Sequence, residues 1–523
     1  MNEAPPLRRV RGARLLGPAL WAAARVRVAR WDALMTSRTA LREVQEQTLL
    51  THTRAAADTE LGRAHGFAEV RGHADFVRRV PVRTYADFEP MLERMRAGER
   101  DVTYGGFVYF WGQSSGTSQT AAKSKFLPIS KEQIRWQQQA GFDVLARYLS
   151  LSGDRRFTGG HMLGLFPPST IERVGAVGVA SNPGIMQLHV PYPASRMILP
   201  QPPIRDIPHY EAKLEAMADA YLDHDVRSLT GTTCWFSVFF DHVLAAARRR
   251  GRRARHIEDV WPELRVLLGG GVPAQPYRPL IEARVGRPIT ILENYSATEG
   301  GFFATADHPT DPSMLVIPDR GVFFEFIARD AGADPRRIPL WDVETGVDYS
   351  IVLTTSSGLF AYAIGDYVRF TSTYPHRLQF VGRPAGVLSL TQELTTTLEI
   401  ERAIAHASLA TRATTVDYAA SSELGVEGSG KGRYLAFVEF EGASPDLGKF
   451  TAAFDAELQT QNRVYREHRA NDVAILMPRV VALPRGATRA FMQQIGQTSV
   501  QQKFPRIATA EQTALLQRLA QPD

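Results

Sequence analysis

The sequence predicts an α/β chain of at least two domains, a large layered α/β body followed by a smaller α+β unit. Three observations predict it. The 523 residues exceed what one ordinary hydrophobic core organises. Short apolar runs ended by turn residues alternate with segments of helical periodicity, the pattern of layered α/β architecture. Composition then shifts at Gly382-Arg383-Pro384-Ala385-Gly386, where a hinge is expected. Apolar residues at 44% and charged residues at 22% match a folded globular chain rather than a disordered one.

The elements follow in order. Leu15 to Ala29 is apolar but broken by Arg25, Arg27 and Pro18. It lacks the order of a secretory signal and reads as a short amphipathic helix packing on the body, with weak membrane-surface contact as the alternative. Leu41 to Asp58 has helical periodicity, and Tyr85 to Met95 reads as a helix entered from a Thr84 cap. An aromatic, strand-like run, Phe107 to Trp111, precedes a hydroxyl-rich loop, and Ser130 to Leu149 reads as the next helix. Strands are expected at His161 to Phe166, ended by Pro167-Pro168, and at Arg265 to Leu268, ended by Gly269-Gly270-Gly271. Between them Ile207 to His224 and Val238 to Arg250 have helical patterning. From Gly321 to Val368 the chain turns strand-rich, at Val322 to Ile327, Tyr349 to Leu353 and Phe360 to Phe370. Beyond the hinge, helix Thr397 to Ala407, strand Tyr434 to Phe440 and helix Leu447 to Gln459 build the α+β unit, with Gly425 to Gly432 as a hairpin or loop tip.

Composition also excludes. The single cysteine, Cys234, leaves no internal disulfide framework and fits a reducing compartment, so a cytoplasmic location is expected. Its setting, Thr232-Thr233-Cys234-Trp235-Phe236, suits a buried structural thiol better than a nucleophile. Net charge is +6, concentrated in Arg8, Arg9, Arg11 and Arg14 and in Arg248, Arg249, Arg250, Arg252, Arg253 and Arg255. No aromatic interleaving, zinc spacing or helix-turn-helix pattern accompanies these clusters, so no nucleic-acid partner is expected. The second cluster reads as a solvated helix end, where cations are favourable. No stretch of about twenty apolar residues is present to span a membrane.

The stretch with most chemistry is Gln113-Ser114-Ser115-Gly116-Thr117-Ser118-Gln119, followed by Lys123 and Lys125. Small hydroxyl residues around a glycine let backbone N–H groups turn toward an anion, and hydroxyl and ammonium groups add donors. A Ser/Gly-rich surface turn is the plain alternative, and the P-loop spacing of kinases is absent. Further along, Gly269-Gly270-Gly271 is a glycine turn after a strand, which a flat ligand can approach closely. In Glu293-Asn294-Tyr295-Ser296-Ala297-Thr298-Glu299-Gly300-Gly301, Tyr295 could stack on a base while Thr298 and Glu299 offer oxygen ligands for Mg²⁺. In Tyr362-Ala363-Ile364-Gly365-Asp366, the carboxylate could accept from two ribose hydroxyls. His161, beside Met162 and Leu163, reads as a hydrogen-bonded core residue before it reads as a base.

The order of these stretches resembles the adenylate-forming superfamily, and within it the Gretchen Hagen (auxin-responsive promoter) family of acyl acid–amido synthetases in a bacterial form. Thr59 to Phe67, Val80 to Tyr85, Gly496-Gln497 and Gln502-Lys503-Phe504-Pro505-Arg506 resemble further segments of that family, so the likeness covers nearly the whole chain. The resemblance implies a large N-terminal adenylate-forming domain over 1–382, layered α/β with a β-barrel-like part. It implies a smaller mobile α+β cap over 383–523. It implies that Ser114, Ser115, Gly116, Thr117 and Ser118 hold phosphates, with Lys125 the better match for the motif's lysine and Lys123 its neighbour. Gly270, Gly271, Tyr295 and Ser296 would contact adenine, Thr298 and Glu299 would meet Mg²⁺ and the α-phosphate, and Asp366 the ribose. Arg383 would be the hinge arginine and Lys503 the lysine of the cap. The chain departs from the family pattern at Ala361 and Ala363, where relatives commonly carry arginine, and at Leu394, where many have lysine.

The resemblance implies an ATP- and Mg²⁺-dependent ligase that adenylates a small carboxylic acid and passes the acyl group to an amine such as an amino acid. The absence of a convincing Ser-His-Asp or Cys-His arrangement agrees with a route that needs no covalent protein nucleophile. A ligase ending at a thioester, or a nucleotide-binding protein without turnover, are the rivals. Met162, Phe166, Met186 and Trp235, within the region expected to line the acyl pocket, suggest an aromatic or aliphatic acid.

Overall fold

In the computed structural model the described residues are 7–8, 10, 13–114, 125–192, 194–271, 274, 277–308, 310–329, 335–382, 386–391, 393–426, 430–495 and 504–521. The chain divides into two compact units, one built from 1–114, 125–274 and 281–383 and the other from the remainder, chiefly 384–523.

The first unit is organised by a twelve-stranded sheet. Its strand order is Ile338–Pro339, Val322–Ala328, Asp348–Thr355, Tyr362–Ser372, Arg377–Gly382, Met314–Val316, Gly301–Ala306, Thr290–Ala297, Val266–Gly270, Val226–Thr232, His161–Leu165 and Ile198–Leu199. The last five strands pair in parallel, and the others are antiparallel. The parallel half has helix Cys234–Arg249 between strands Val226–Thr232 and Val266–Gly270, the crossover that parallel neighbours need.

The antiparallel half curls. Tyr295 lies on one strand and Asp366 on another, with three strands between them. On a flat sheet four steps would separate them by about 19 Å. The Tyr295 hydroxyl nevertheless donates to Asp366 Oδ2 at 2.7 Å. Phe303 and Phe324 have four strands between them, and their rings meet edge to face at 5.7 Å. This half of the sheet is therefore barrel-like, and its inner wall is aromatic: Phe303, Phe324, Phe326, Tyr349 and Phe370 are all buried.

Helices seal the outer surfaces. The N-terminal segment is not the short helix expected but runs for 23 residues, Ala13–Met35. Buried Trp31 donates from Nε1 to the Val316 carbonyl at 3.0 Å. Arg27 bridges Asp143 on helix Lys131–Ser152 and Asp319, both at 2.7 Å. Arg320 also meets the fully buried Asp143, so one carboxylate anchors two guanidinium groups. Helix Arg38–Ala55 is fixed by Gln45, whose amide donates to the carbonyls of Pro318 and Val322 at 2.6 and 3.0 Å and accepts from Phe324 N at 2.9 Å. Helix Tyr85–Arg96 starts, as the sequence predicts, from Thr84, with Asp87 closing a capping box. Helix Lys131–Ser152 is capped by Ser130 and stopped at Gly153, whose φ of 62° is left-handed.

The basic cluster after helix Cys234–Arg249 is not simply solvated. Arg249 pairs with Asp219, and Arg250 and Arg252 with Asp223. Carboxylates of the same unit thus take up three of these charges, while the Arg249 and Arg250 side chains stay 53% and 42% exposed. The helix begins at Cys234, four residues before the expected start at Val238; the Cys234 side chain lies outside the described residues. Among the described residues no helix is long and apolar enough to cross a membrane.

The second unit is a three-stranded sheet, Thr415–Glu423, Arg433–Phe440 and Arg479–Leu483, covered on both faces. Ile400, Ile404, Phe450 and Phe454, from helices Thr397–Thr411 and Leu447–Gln461, pack on one face with Tyr418 and Val438. Phe491, Phe504 and Leu516 pack on the other with Leu435 and Phe437. The expected helices and central strand are present, and the flanking strands are additions. The antiparallel pairing of Thr415–Glu423 with Arg433–Phe440 brackets the glycine-rich segment expected to be a hairpin, whose residues 427–429 lie outside the described set.

Buried histidines make the fold acid-sensitive. Burial holds His52 and His376 down to about 4, against about 6.5 for the exposed side chain. The unfolded chain therefore takes up protons that the folded chain refuses. Their contribution to stability is complete above about 6.5 and is lost as pH falls toward 4, each steepening the loss by up to about 1.4 kcal/mol per pH unit. Thermal unfolding followed between pH 7 and 5 should show a falling Tm with proton uptake on unfolding. His52→Gln should flatten the slope.

Candidate active site

The hydroxyl-rich stretch begins inside a strand, not in a loop. Strand Phe110–Ser114 pairs antiparallel with Lys125–Ile129, and Ser114 lies opposite Lys125. The strand starts three residues later than the aromatic run suggested and continues through Gln113 and Ser114. Ser115, Gly116, Thr117, Ser118 and Lys123 lie outside the described residues, as do Arg383 and Lys503. What is described is the base from which the hydroxyl-rich segment springs.

Lys125 opens the return strand and is buried. Its ammonium sits 5.4 Å from the centre of the Tyr85 ring, where the negative face of the π system attracts a cation. The Tyr85 hydroxyl accepts from Phe126 N at 3.1 Å, which locks the ring against the strand. Burial raises the Tyr85 hydroxyl above its ordinary value, so it stays a neutral phenol.

The second wall is the turn between strands Thr290–Ala297 and Gly301–Ala306, which carries Thr298 and Glu299. It lies directly on the first wall. A Cβ on Gly112 would come within 2.6 Å of Thr298 Cγ2, a separation that no real contact tolerates, so glycine is required for this approach. The Thr298 carbonyl accepts from the Gln133 amide at 3.0 Å, and the same amide's oxygen takes the Ser357 hydroxyl. Glu299 is buried, Thr298 half-buried and Ser296 exposed.

Asp366 supplies the third wall. Gly365, at φ 85°, sits where the register against strand Asp348–Thr355 shifts and turns Asp366 inward. The buried Asp366 accepts from Tyr295, whose ring is held between Phe303 at 5.4 Å and Phe380 at 6.0 Å. The two residues expected to meet base and ribose are thus coupled to each other. Gly269 and Gly270 end the neighbouring parallel strand. A Cβ on Gly270 would stand 3.0 Å from the Asn294 carbonyl, and the Asn294 amide donates to Gly269 O at 2.9 Å. Gly271 follows with φ 78°.

At the positions that depart from the family pattern, Ala361 is left-handed at φ 49°. Its carbonyl accepts from Arg83 N at 2.9 Å, and Ala363 N donates to Arg83 O at 2.8 Å. Leu394, in the second unit, is buried and left-handed at φ 50°. The preceding Glu393 is fully buried and accepts from Leu390 N at 2.6 Å, Thr391 N at 2.7 Å and the Tyr434 hydroxyl.

Sequence reasoning missed three side chains. Tyr85 read only as a helix start, and Tyr362, fully buried beside this site, as the residue between two alanines. Lys213 was the third: it is buried, pushed down to about 8 by burial, and donates to Phe166 O at 2.9 Å and Pro167 O at 3.3 Å. Nothing in a helix-periodicity pattern flags them. His161 is a core residue as expected; burial lowers its pKa, and its ring meets His224 at 5.2 Å.

The fold is shared with solved ligase structures. Over 94% of this chain and 96% of the other, it superposes on the GH3.15 acyl acid amido synthetase with a TM-score of 0.59 at 21% identity. A 2-hydroxyisobutyryl-CoA ligase in complex with 2-HIB-AMP and CoA superposes over 93% of both chains with a TM-score of 0.56 at 15% identity. In sequence, the GH3 family N-terminal domain matches residues 32–185, the GH3 family central domain 315–383 and the GH3 family C-terminal domain 398–512. The chain belongs to the GH3 family. It is 30% identical over 284 residues to indole-3-acetic acid-amido synthetase GH3.15 of Arabidopsis thaliana, an alignment covering 49% of this chain and 47% of that protein. It is 25% identical over 425 residues, 70% of each chain, to the probable indole-3-acetic acid-amido synthetase GH3.1 of the same plant. The chain thus spans about half the length of the first of these relatives.

Gly112→Ala should drive the Thr298–Glu299 turn off the strand. We expect a loss of about 1–3 kcal/mol in stability, as for other overpacked sites, measured by denaturant unfolding, whereas Gly141→Ala, a helical glycine with open space around it, should not destabilise.

Proposed function

We propose that this protein is an ATP-dependent acyl acid–amido synthetase. It would adenylate a carboxylic acid with release of pyrophosphate, then pass the acyl group to an amine such as an amino acid, leaving AMP. The observation that carries the reading is a chain of neighbours in the first unit: Tyr362 faces Glu299, Tyr85 and Asp366, Asp366 holds Tyr295 at 2.7 Å, and the Lys125 ammonium lies over the Tyr85 ring. It joins an ammonium, a buried carboxylate and a hydrogen-bonded aromatic–carboxylate pair.

In this reading Asp366 accepts from the ribose hydroxyls while its bond to Tyr295 fixes both the carboxylate and the ring that borders adenine. Gly270 and Gly271 let the base approach backbone closely. Lys125, steadied over Tyr85, faces the α-phosphate, where negative charge grows as the acid's carboxylate attacks. The segment from Ser114 through Ser118 would cradle the outgoing phosphates. Among the described residues no three His, Cys, Asp or Glu side chains form a metal cage. One buried carboxylate, Glu299, beside the Thr298 hydroxyl fits an ion that is held mainly by substrate phosphates, as Mg²⁺ commonly is. Such an ion would neutralise phosphate charge. Residues 1–382 would act as the adenylating domain and 383–523 as the cap, with Arg383 as hinge and Lys503 brought by the cap.

A second reading, nucleotide binding without turnover, is favoured by Leu394, which is apolar where many relatives carry lysine. Carboxylate-dependent exchange of pyrophosphate into ATP, over a panel of aryl, indole and fatty acids, decides between them. We expect exchange with at least one acid and a loss of about 100-fold or more in Glu299→Ala. No exchange with any acid, while ATP still binds, would reject the synthetase.

A further inference from the structure

Two unfavourable features fall on neighbouring residues of the first unit. Ala361 is fully buried and holds a left-handed backbone at φ 49°, which a side chain with a Cβ adopts only at a cost. Tyr362 is fully buried, and its hydroxyl makes no hydrogen bond of ordinary geometry among the described residues, although the Glu299 carboxylate stands close enough to act on it as an acceptor. A buried polar group left unpaired is also costly, and native folds rarely keep one without a use. Strain and an orphaned donor at one place point to function rather than to packing.

The surroundings say which group the hydroxyl serves. Burial raises it well above its ordinary value, and Glu299 raises it further both as a neighbouring charge and as a side-chain acceptor, with Tyr85 and Asp366 adding to the effect. The backbone prevents the ring from moving away. Ala361 N donates to Thr354 Oγ1 at 3.0 Å, and Arg83 pairs with Ala361 and Ala363 on either side of Tyr362. The ring packs 5.8 Å from Phe88. Gln133 ties the Glu299 turn to the same hairpin, through the Thr298 carbonyl on one side and the Ser357 hydroxyl on the other.

We propose that Tyr362 is a positioning residue for Glu299. Its hydroxyl donates to the Glu299 carboxylate when that carboxylate engages Mg²⁺·ATP, and so fixes which carboxylate oxygen faces the ligand. The inference rests on the assignment of Glu299 to the Mg²⁺ position. It gives a use to the left-handed alanine, which aims the phenol, and to a buried hydroxyl whose approach to the carboxylate is loose here and would tighten in the working site. An outer-shell donor of this kind orients a metal-binding carboxylate without touching the ion.

Tyr362→Phe tests it, because the variant keeps the ring and its packing. If the hydroxyl were merely structural, its removal would leave Mg²⁺ dependence untouched. The proposal predicts a Tm without ligand that is unchanged or raised, since an unpaired buried polar group is lost. It also predicts that the Mg²⁺ concentration giving half of the ATP-induced thermal shift rises about tenfold or more. Tyr362→Phe combined with Glu299→Ala should be no worse than Glu299→Ala alone. Identical Mg²⁺ titrations for Tyr362→Phe and wild type would overturn the proposal. A shifted titration in a wild-type background that shows no pyrophosphate exchange would sustain the role of Tyr362 while rejecting the synthetase. No Mg²⁺-dependent ATP effect in the wild type would overturn both.

Discussion

The curl of the antiparallel half-sheet is the constraint on which the site depends. Tyr295 and Asp366 belong to strands that a flat sheet would hold far apart, yet one hydrogen bond joins them. The curl arises because the strands Val322–Ala328, Asp348–Thr355 and Tyr362–Ser372 carry large aromatic and branched side chains on the inward face. Burying that face against Phe303 and Leu315 closes the wall on itself. Once it is closed, residues distant in sequence share neighbours: Glu299 from one turn and Asp366 from the far strand both face Tyr362, as does Tyr85, over whose ring Lys125 lies.

Close approach between walls is achieved by removing side chains, and aim is achieved with left-handed backbone. Gly112 lets the Thr298 turn touch the strand that leads to the hydroxyl-rich segment. Gly365 turns Asp366 inward, and Ala361 directs Tyr362. Where the family pattern leads one to expect arginines, this chain uses the backbone of Arg83, which pairs on both sides of Tyr362. The guanidinium of Arg83 is directed instead at His65 Nε2, 2.7 Å away. Ala361 and Ala363 thus leave the strand uncharged on either side of Tyr362 while its order is kept. Leu394 is likewise held in a well-built loop, because the buried Glu393 beneath it accepts two backbone N–H groups.

Much of this was legible in the sequence. The order of hydroxyl-rich stretch, glycine turn, Tyr–Thr–Glu and Gly–Asp pointed to the family. Helix caps at Thr84 and Ser130 were readable because capping is local chemistry. The barrel-like curl was not, since it depends on pairings among strands far apart in the chain. Tyr85 and Tyr362 were missed for the same reason. Each looks like an ordinary core aromatic until the fold sets it beside Lys125 or Glu299. The long N-terminal helix was underestimated because its anchoring charges, Asp143 and Asp319, lie more than a hundred residues away.

The central claim is that a carboxylate attacks the α-phosphorus of ATP. Once exchange has identified an acid, that acid labelled with ¹⁸O in both carboxylate oxygens can be turned over with ATP and an amine, and the products weighed by mass spectrometry. Attack at the α-phosphorus places one acid oxygen in the acyl–phosphate bridge, and it leaves with AMP when the amine displaces it. The account predicts one ¹⁸O in AMP and none in pyrophosphate. Label in inorganic phosphate, with ADP as the nucleotide product, would contradict it.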